Sequence, residues 1–435
     1  MITVLVEQDT ARLRYVLAEV LGRRLGMVYT VTNDVNEVDF SRTVVINYTH
    51  RTVQQTIPIV PSGFLAQTFL DEVSPITITN DRWHTLLWPN HTAGKEGIPF
   101  DLFSAVFYLL SRYEEYFRIE TDRHGRFTAS MSLAYKRGFL RYPLVEHWCE
   151  ELKKVIQKQA PNLHFKQHAF SCLSTIDIDF AYLYNGLSAK RWFAKLALAV
   201  LRFNIKSVIN QIFATINRKY DPYNSYEFIR KNTNAPVAYF MLMSDAGGYD
   251  KNINPKGVTI KRLMLSLSKY AAFIGLHPSY GSNMSLQLVQ HESDLLQQAI
   301  LQPVYHSRQH YLMLSFPHTY NTLVRVGITD DYTMAYADEP GFRASTCMPF
   351  NFFNVLTNQP TSLLVHTTCI MDVTLSNYLK VNTTEAKQIA LALLEVTKQF
   401  NGDFISLWHN NSFTAQTNTL NLKEVYCALF NKPRK

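Results

Sequence analysis

From about residue 170 onward, short β-branched or apolar runs alternate with helical stretches, and this alternation limits the possible folds more than any other feature. The strand-like runs are Cys172–Ile176, Val237–Leu242, Ala271–Leu276, Tyr311–Leu314, Ser362–Val365 and Phe404–Leu407. Between them lie helical stretches at Lys261–Lys269, Ser285–Ile300 and Glu385–Phe400. Pro317 opens a further helix that Gly327 closes, and Gly402 follows the last long one. A repeated strand-then-helix order means parallel strands joined by crossover helices. This many units favour an α/β barrel or an open doubly wound sheet. No GxGxxG or GxxxxGK[ST] loop follows any of the strands, so nucleotide binding has no support.

Residues 1–165 have a different texture and read as a mixed α/β domain ahead of the barrel at 166–435. Thr3–Glu7, Arg42–Tyr48 and Gln55–Pro58 are expected as strands and Ala11–Leu21 as a helix. Pro99–Tyr116 has Phe103, Phe107 and Leu110 at helical spacing, with Arg112, Glu114 and Glu115 on the other face. Leu144–Gln159 is amphipathic and Pro161 ends it. Within the barrel, residues 182–226 break the alternation. They are helical, basic and aromatic, with Trp192, Phe193 and Phe203, and are expected as an insertion after the first barrel strand.

Composition serves mainly to exclude. The chain of 435 residues is 47% hydrophobic and 18% charged, which is ordinary for a globular protein with a full core. Its net charge of +8 is spread thinly, with small groups around Lys190–Lys195 and Lys432–Lys435. No nucleic-acid partner is expected, and a peripheral contact with a membrane surface stays open. The five cysteines are dispersed without a CxxC pair, which argues against a disulfide framework and a thiolate metal site. The opening residues lack the pattern of a secretory leader, and the most apolar stretch, Trp192–Ile205, is too short to span a bilayer. The expected location is the cytoplasm.

In α/β barrels the reacting groups sit at the C-terminal ends of strands. Here one strand ends in Asp177-Ile-Asp179, another in His277 and a third in His409. Asp177 and Asp179 are two apart, so in an extended backbone they share a face and can serve one centre, one as metal ligand and one as base. Taken alone, such an aspartate is as often a helix or turn cap, and such a histidine is more often structural. Arg343, among small residues and rings, needs a carboxylate partner, and Asp177 is the natural choice. Asp245 and Asp250, the group His306, Arg308 and His310, and the acidic set Asp330, Asp331 and Asp338 read as solvated loops. Arg112, Glu114 and Glu115 read as a helix surface or an interdomain contact.

The ordered set Thr175-Ile-Asp-Ile-Asp179, His277-Pro-Ser-Tyr-Gly-Ser282, Gly341-Phe-Arg343, Pro349-Phe350 and Leu407-Trp-His409 resembles the polysaccharide deacetylase superfamily. This is also called the NodB-homology or carbohydrate esterase 4 fold, and the likeness spans about residues 170–415. Pro99-Phe-Asp-Leu-Phe, Ser111-Arg-Tyr-Glu-Glu-Tyr116 and Asp122-Arg-His-Gly-Arg-Phe127 resemble the N-terminal domain of a bacterial branch of that superfamily. The resemblance implies an irregular (β/α) barrel and a hydrolase acting on an acetylated glycan or sugar. It also implies a divalent metal, zinc or a similar ion. Asp177 would be general base, Asp179 and His277 metal ligands, Arg343 the group that orients the base, and His409 the general acid. Two departures stand out. Asp-Ile-Asp replaces the usual Asp-Asp-Gly turn, and Gly281 stands where a second histidine is usual. Ser282, a water, His306 or His310 are then the candidates for the third ligand. The alternative implied is a catalytically impaired member that binds carbohydrate or a protein.

Overall fold

The computed structural model describes residues 1–71, 76–81, 83–90, 97–117, 120–244, 247–414 and 419–431. Asp245 and the Lys432–Lys435 tail lie outside them. Near the N-terminus, β1 (Ile2–Val6), β2 (Tyr29–Thr32), β3 (Val44–Tyr48) and β4 (Ile57–Pro58) form a parallel sheet in the order β2-β1-β3-β4. β5 (Ile78–Asp81) and β6 (His84–Leu87) pair as a separate antiparallel ribbon. The run Ile2–Val6 is buried along its whole length, as its unbroken apolar and β-branched sequence requires of a strand covered on both faces. The helix expected over Pro99–Tyr116 spans only Leu102–Leu110. Asp101 caps it by accepting from Ser104 N at 3.1 Å. It ends where Arg112 adopts a positive φ of 53°, and a short 3-10 turn, Tyr113–Phe117, follows.

The larger sheet has nine strands. In chain order they are β7 (Ser171–Ile178), β8 (Val237–Leu242), β9 (Phe273–His277), β10 (His306–Ser307), β11 (Asp330–Met334), β12 (Phe350–Asn354), β13 (Gln359–Thr367), β14 (Ile370–Met371) and β15 (Asp403–His409). Their spatial order is β12-β13-β11-β10-β9-β8-β7-β15-β14. All neighbours are parallel except the edge pair β12–β13. The sheet curls, and one stretch of chain joins its two sides. β13 pairs with β11 up to Thr367, and after two intervening residues β14 pairs with β15. Between them, Thr368 N donates to Met334 O at 3.1 Å and Cys369 N donates to Ile405 O at 3.0 Å. The sheet therefore curls so far that residues 359–371 lie along β11 at one side and along β15 at the other. Two expectations change here. Tyr311–Leu314 is not a strand: its stave is the two-residue β10, and His310–Leu312 is a 3-10 turn. Asp330 and Asp331 are not in a solvated loop but begin β11, and Asp331 is buried, bonded to Ser307 and Thr333.

One hydrophobic cluster runs from Ile2 to Phe430 and joins the N-terminal sheet to the barrel. One buried ion pair, with hydrogen bonds from its neighbours, crosses the same boundary. Arg343 donates to Glu115 through Nε (2.9 Å) and Nη2, and to Ala335 O (2.9 Å). Arg112 donates to the same Glu115 at 2.8 Å and to the Tyr336 hydroxyl at 2.9 Å. Arg24 pairs with Glu19 and Glu146, while Glu146 accepts from Thr346 Oγ1 and Cys347 N. Glu115, Glu146 and Glu19, which accepts from Asn351 N at 3.1 Å, thus grip the segment 343–351 from the N-terminal side. Arg112 and Glu115 are buried against Tyr336 and Arg343, so this group is not a helix surface. All five cysteines are unpaired.

Removing one partner of a buried pair strands the other charge in a low-dielectric environment. Glu115→Ala is accordingly expected to lower the unfolding free energy by about 3–5 kcal/mol, read by urea denaturation. A loss below about 1 kcal/mol would contradict this clamp.

Candidate metal centre in the barrel mouth

The inward faces of the barrel strands stack in layers, set by strand register. β15 lies beside β7 with His409 opposite Asp177, and β8 lies on the other side with Phe240 opposite Asp177. β9 follows, with His277 opposite Leu242. At the base, His306 stacks on Phe273 with ring centroids 3.9 Å apart, and Tyr332 stacks on His366 at 4.3 Å. Above them sits Arg308, fully buried. Its guanidinium donates to Tyr332 O (3.0 Å), Thr175 Oγ1 (2.6 Å), Asp177 Oδ1 (2.9 Å) and Thr368 Oγ1 (3.0 Å). It also lies 4.6 Å from the centre of the Phe240 ring. Gly275 makes room for that ring, since a Cβ there would fall 2.7 Å from Phe240.

The top layer is built around Asp179. Three imidazoles point their Nε2 atoms at its carboxylate: His277 at 3.2 Å, His310 at 3.5 Å and His409 at 3.6 Å. Each ring is fixed from behind through Nδ1. His277 donates to Arg308 O, His310 is held by Asp250 at 2.7 Å, and His409 is held by Asp372 at 2.9 Å. Because these partners are acceptors, Nδ1 carries a proton and Nε2 is the atom turned toward Asp179. Asp179 Oδ1 and His277 Nε2 are buried and have no hydrogen-bond partner. Asp179, His277 and His310 each offer a ligand atom, all within 4.8 Å of one another. One carboxylate oxygen and two imidazole nitrogens, with room for water, match the donor set of a catalytic divalent ion such as zinc.

Electrostatics follow the same arrangement. Burial alone would raise the Asp179 carboxyl, but His310 and His409 hold it well below the usual carboxylate range. Burial would lower His310, yet Asp179 and Asp250 outweigh it and raise the imidazole to about 9. His409 is likewise lifted against burial, to about 10, by Asp372 and Asp179.

The site opens into a cleft of about 1220 Å³. Asp122–Arg126 of the N-terminal part forms one wall, and Arg126 reaches across to Tyr311 O (2.7 Å) and the Tyr378 hydroxyl (2.9 Å). The rings of Tyr249, Tyr280, Tyr311 and His124 pack on one another beside the mouth.

The structure brings Asp177, Asp179, His277 and His409 together and leaves Arg343 out. Arg343 bonds Glu115, and the cation on Asp177 is Arg308, so the expected Asp177–Arg343 pairing does not form. The reason is topological. Arg343 lies in the segment gripped by the N-terminal domain, whereas Arg308 follows β10 and points inward. Of the candidates for a third ligand, Ser282 is turned toward Ser279 O, and His306 stacks in the basal layer. His310 is the one that reaches Asp179. It and Arg308 are two apart in His-Ser-Arg-Gln-His, a spacing the sequence did offer. Asp372 went unnoticed, although Cys369-Ile-Met-Asp372 also places an acid directly after an apolar strand.

Residues 2–161 match the model of DUF7033, a family of unknown function. No curated protein matches the chain. Among solved structures, the chain is similar to a Mycobacterium smegmatis protein designated, by inference, a polysaccharide deacetylase. The identity is 13% and the TM-score 0.36, over 61% of this chain and 86% of that one. The strand pairing, and not this likeness, defines the curled sheet.

Metal binding requires His310 to give up a proton that it otherwise keeps up to about pH 9. Apparent zinc affinity should therefore rise about tenfold per pH unit between roughly pH 6.5 and 8.5, measured by chelator competition. An affinity independent of pH would contradict the assignment.

Proposed function

We propose that the protein is a metal-dependent deacetylase that removes acetyl groups from an acetylated glycan or sugar, and that it belongs with the polysaccharide deacetylases. One observation carries this reading: three imidazoles turn their Nε2 atoms toward Asp179, beside a second carboxylate that is held by a buried arginine. Asp179, His277 and His310 would hold the ion, which when bound polarises the acetyl carbonyl and acidifies water. Arg308 fixes Asp177 through Oδ1 and leaves Oδ2 toward the mouth, 3.7 Å from His277 Nε2. Asp177 takes a proton from the attacking water. The new C–O bond forms at the carbonyl carbon as the bond to the sugar nitrogen or oxygen breaks. His409, oriented and kept protonated by Asp372, gives its proton to the leaving atom, and acetate departs. The Tyr249, Tyr280 and Tyr311 rings suit the apolar face of a sugar. Arg308 takes the orienting role that the family resemblance gave to Arg343.

Acetate release from an acetylated sugar oligomer tests the proposal. Asp177→Asn, which keeps an oxygen for Arg308 to bond, should lower kcat/KM by about 10²–10⁴-fold while leaving bound metal unchanged. Full activity in that variant would remove Asp177 from the base role. Wild-type protein that holds its ion yet releases no acetate would leave a site that only binds.

A further inference from the structure

Between β7 and β8 the chain leaves the barrel as a helical hairpin, Ala189–Leu201 and Ile205–Ile216. Its root is firmly seated. The Asp221 carboxylate accepts from Leu183 N, Tyr184 N and Asn185 N at 2.8–2.9 Å. Arg191 donates to the carbonyls of Asn252 (2.9 Å) and Lys251 (3.0 Å). Lys251 also lines the catalytic cleft.

Away from the root the hairpin covers almost nothing. Its two helices bury only Ala199, Gln211 and Ala214. At the tip, Leu201 is 75% exposed, Phe203 91% and Ile205 71%. Phe193, Ile212 and Phe213 are exposed farther down. Large apolar side chains gathered in one exposed place mark a surface that something covers. The charge pattern says what. Residues 182–220 contain seven Lys or Arg and no Asp or Glu, and Arg202 and Lys206 alternate with the apolar tip residues. Apolar side chains interleaved with cations fit a bilayer interface, with rings and alkyl groups at the acyl boundary and cations among lipid phosphates. A second copy of the same tip would set Arg202 and Lys206 against their own copies. Nucleic acid would meet the cations but leave the apolar tip facing phosphate. No helix among the described residues is long and apolar enough to cross a membrane, so the contact is with one leaflet.

We infer that the hairpin docks the protein on an anionic lipid surface, inserting Leu201, Phe203 and Ile205 below the headgroups. Because the root shares Lys251 with the cleft wall, docking holds the cleft one hairpin length, ~20 Å, from the inserted tip. The inference stands on the hairpin alone and does not depend on the reaction proposed above.

Flotation of the full-length protein with lipid vesicles tests it. Vesicles with about 30% phosphatidylglycerol should carry the protein, vesicles of phosphatidylcholine alone should not, and binding should weaken as salt rises from about 0.1 to 0.5 M. Combining Leu201→Asp, Phe203→Asp and Ile205→Asp should lower the partition coefficient roughly 100-fold, with an unchanged thermal unfolding transition by circular dichroism as the check on the fold. If the triple variant does not fold, Phe203→Asp alone should lower it about tenfold. Absent flotation, binding indifferent to phosphatidylglycerol, or binding that survives these substitutions would overturn the inference. So would a dimer that the triple variant dissolves, because a second copy would then be the occupant.

Discussion

A guanidinium buried in the middle of a curled sheet must find every partner inside the protein, and Arg308 does so. Backbone and hydroxyl acceptors from β7, β11 and the link between β13 and β14 take part of its hydrogen bonding, Asp177 neutralises it, and the Phe240 ring lies against its face. An unpaired cation there would cost several kcal/mol, so the arrangement is sharply determined. It has two consequences for the layer above. Asp177 is locked with one oxygen committed and one free. His277 is oriented by the carbonyl of Arg308 itself, which sends its other nitrogen toward Asp179. The floor of the barrel thus sets the geometry of its mouth.

The N-terminal part contributes more than an attached domain would. Three of its glutamates grip the segment 343–351, and Arg126 ties the turn after β10 to Tyr378 on the opposite wall. That turn carries His310. The same domain therefore steadies a candidate ligand and supplies a wall of the cleft, and the continuous apolar cluster makes the two parts one packing unit.

How far this could be read from sequence depended on how each strand announces itself. β7, β9 and β15 are apolar runs ending in a polar residue, so Asp177, Asp179, His277 and His409 were found at their ends. β10 has only two paired residues and no apolar run, so the same rule had nothing to act on, and Arg308 and His310 looked like loop residues. Tyr311 and Leu312 suggested a strand by composition but adopt positive φ in a turn. Arg343 was rightly expected to need a carboxylate. Its partner lies 228 residues earlier in the chain, on another element, and no local pattern records that pairing. The hairpin after β7 was legible as a basic, aromatic insertion because its composition departs from everything around it.

The central claim is that Asp179, His277 and His310 close on one cation. Anomalous diffraction from zinc-soaked crystals addresses it directly. The account predicts a single peak about 2.0–2.2 Å from an Asp179 oxygen and from Nε2 of both histidines. A peak held by other side chains, or an ion that leaves Asp179 unbound, would contradict it.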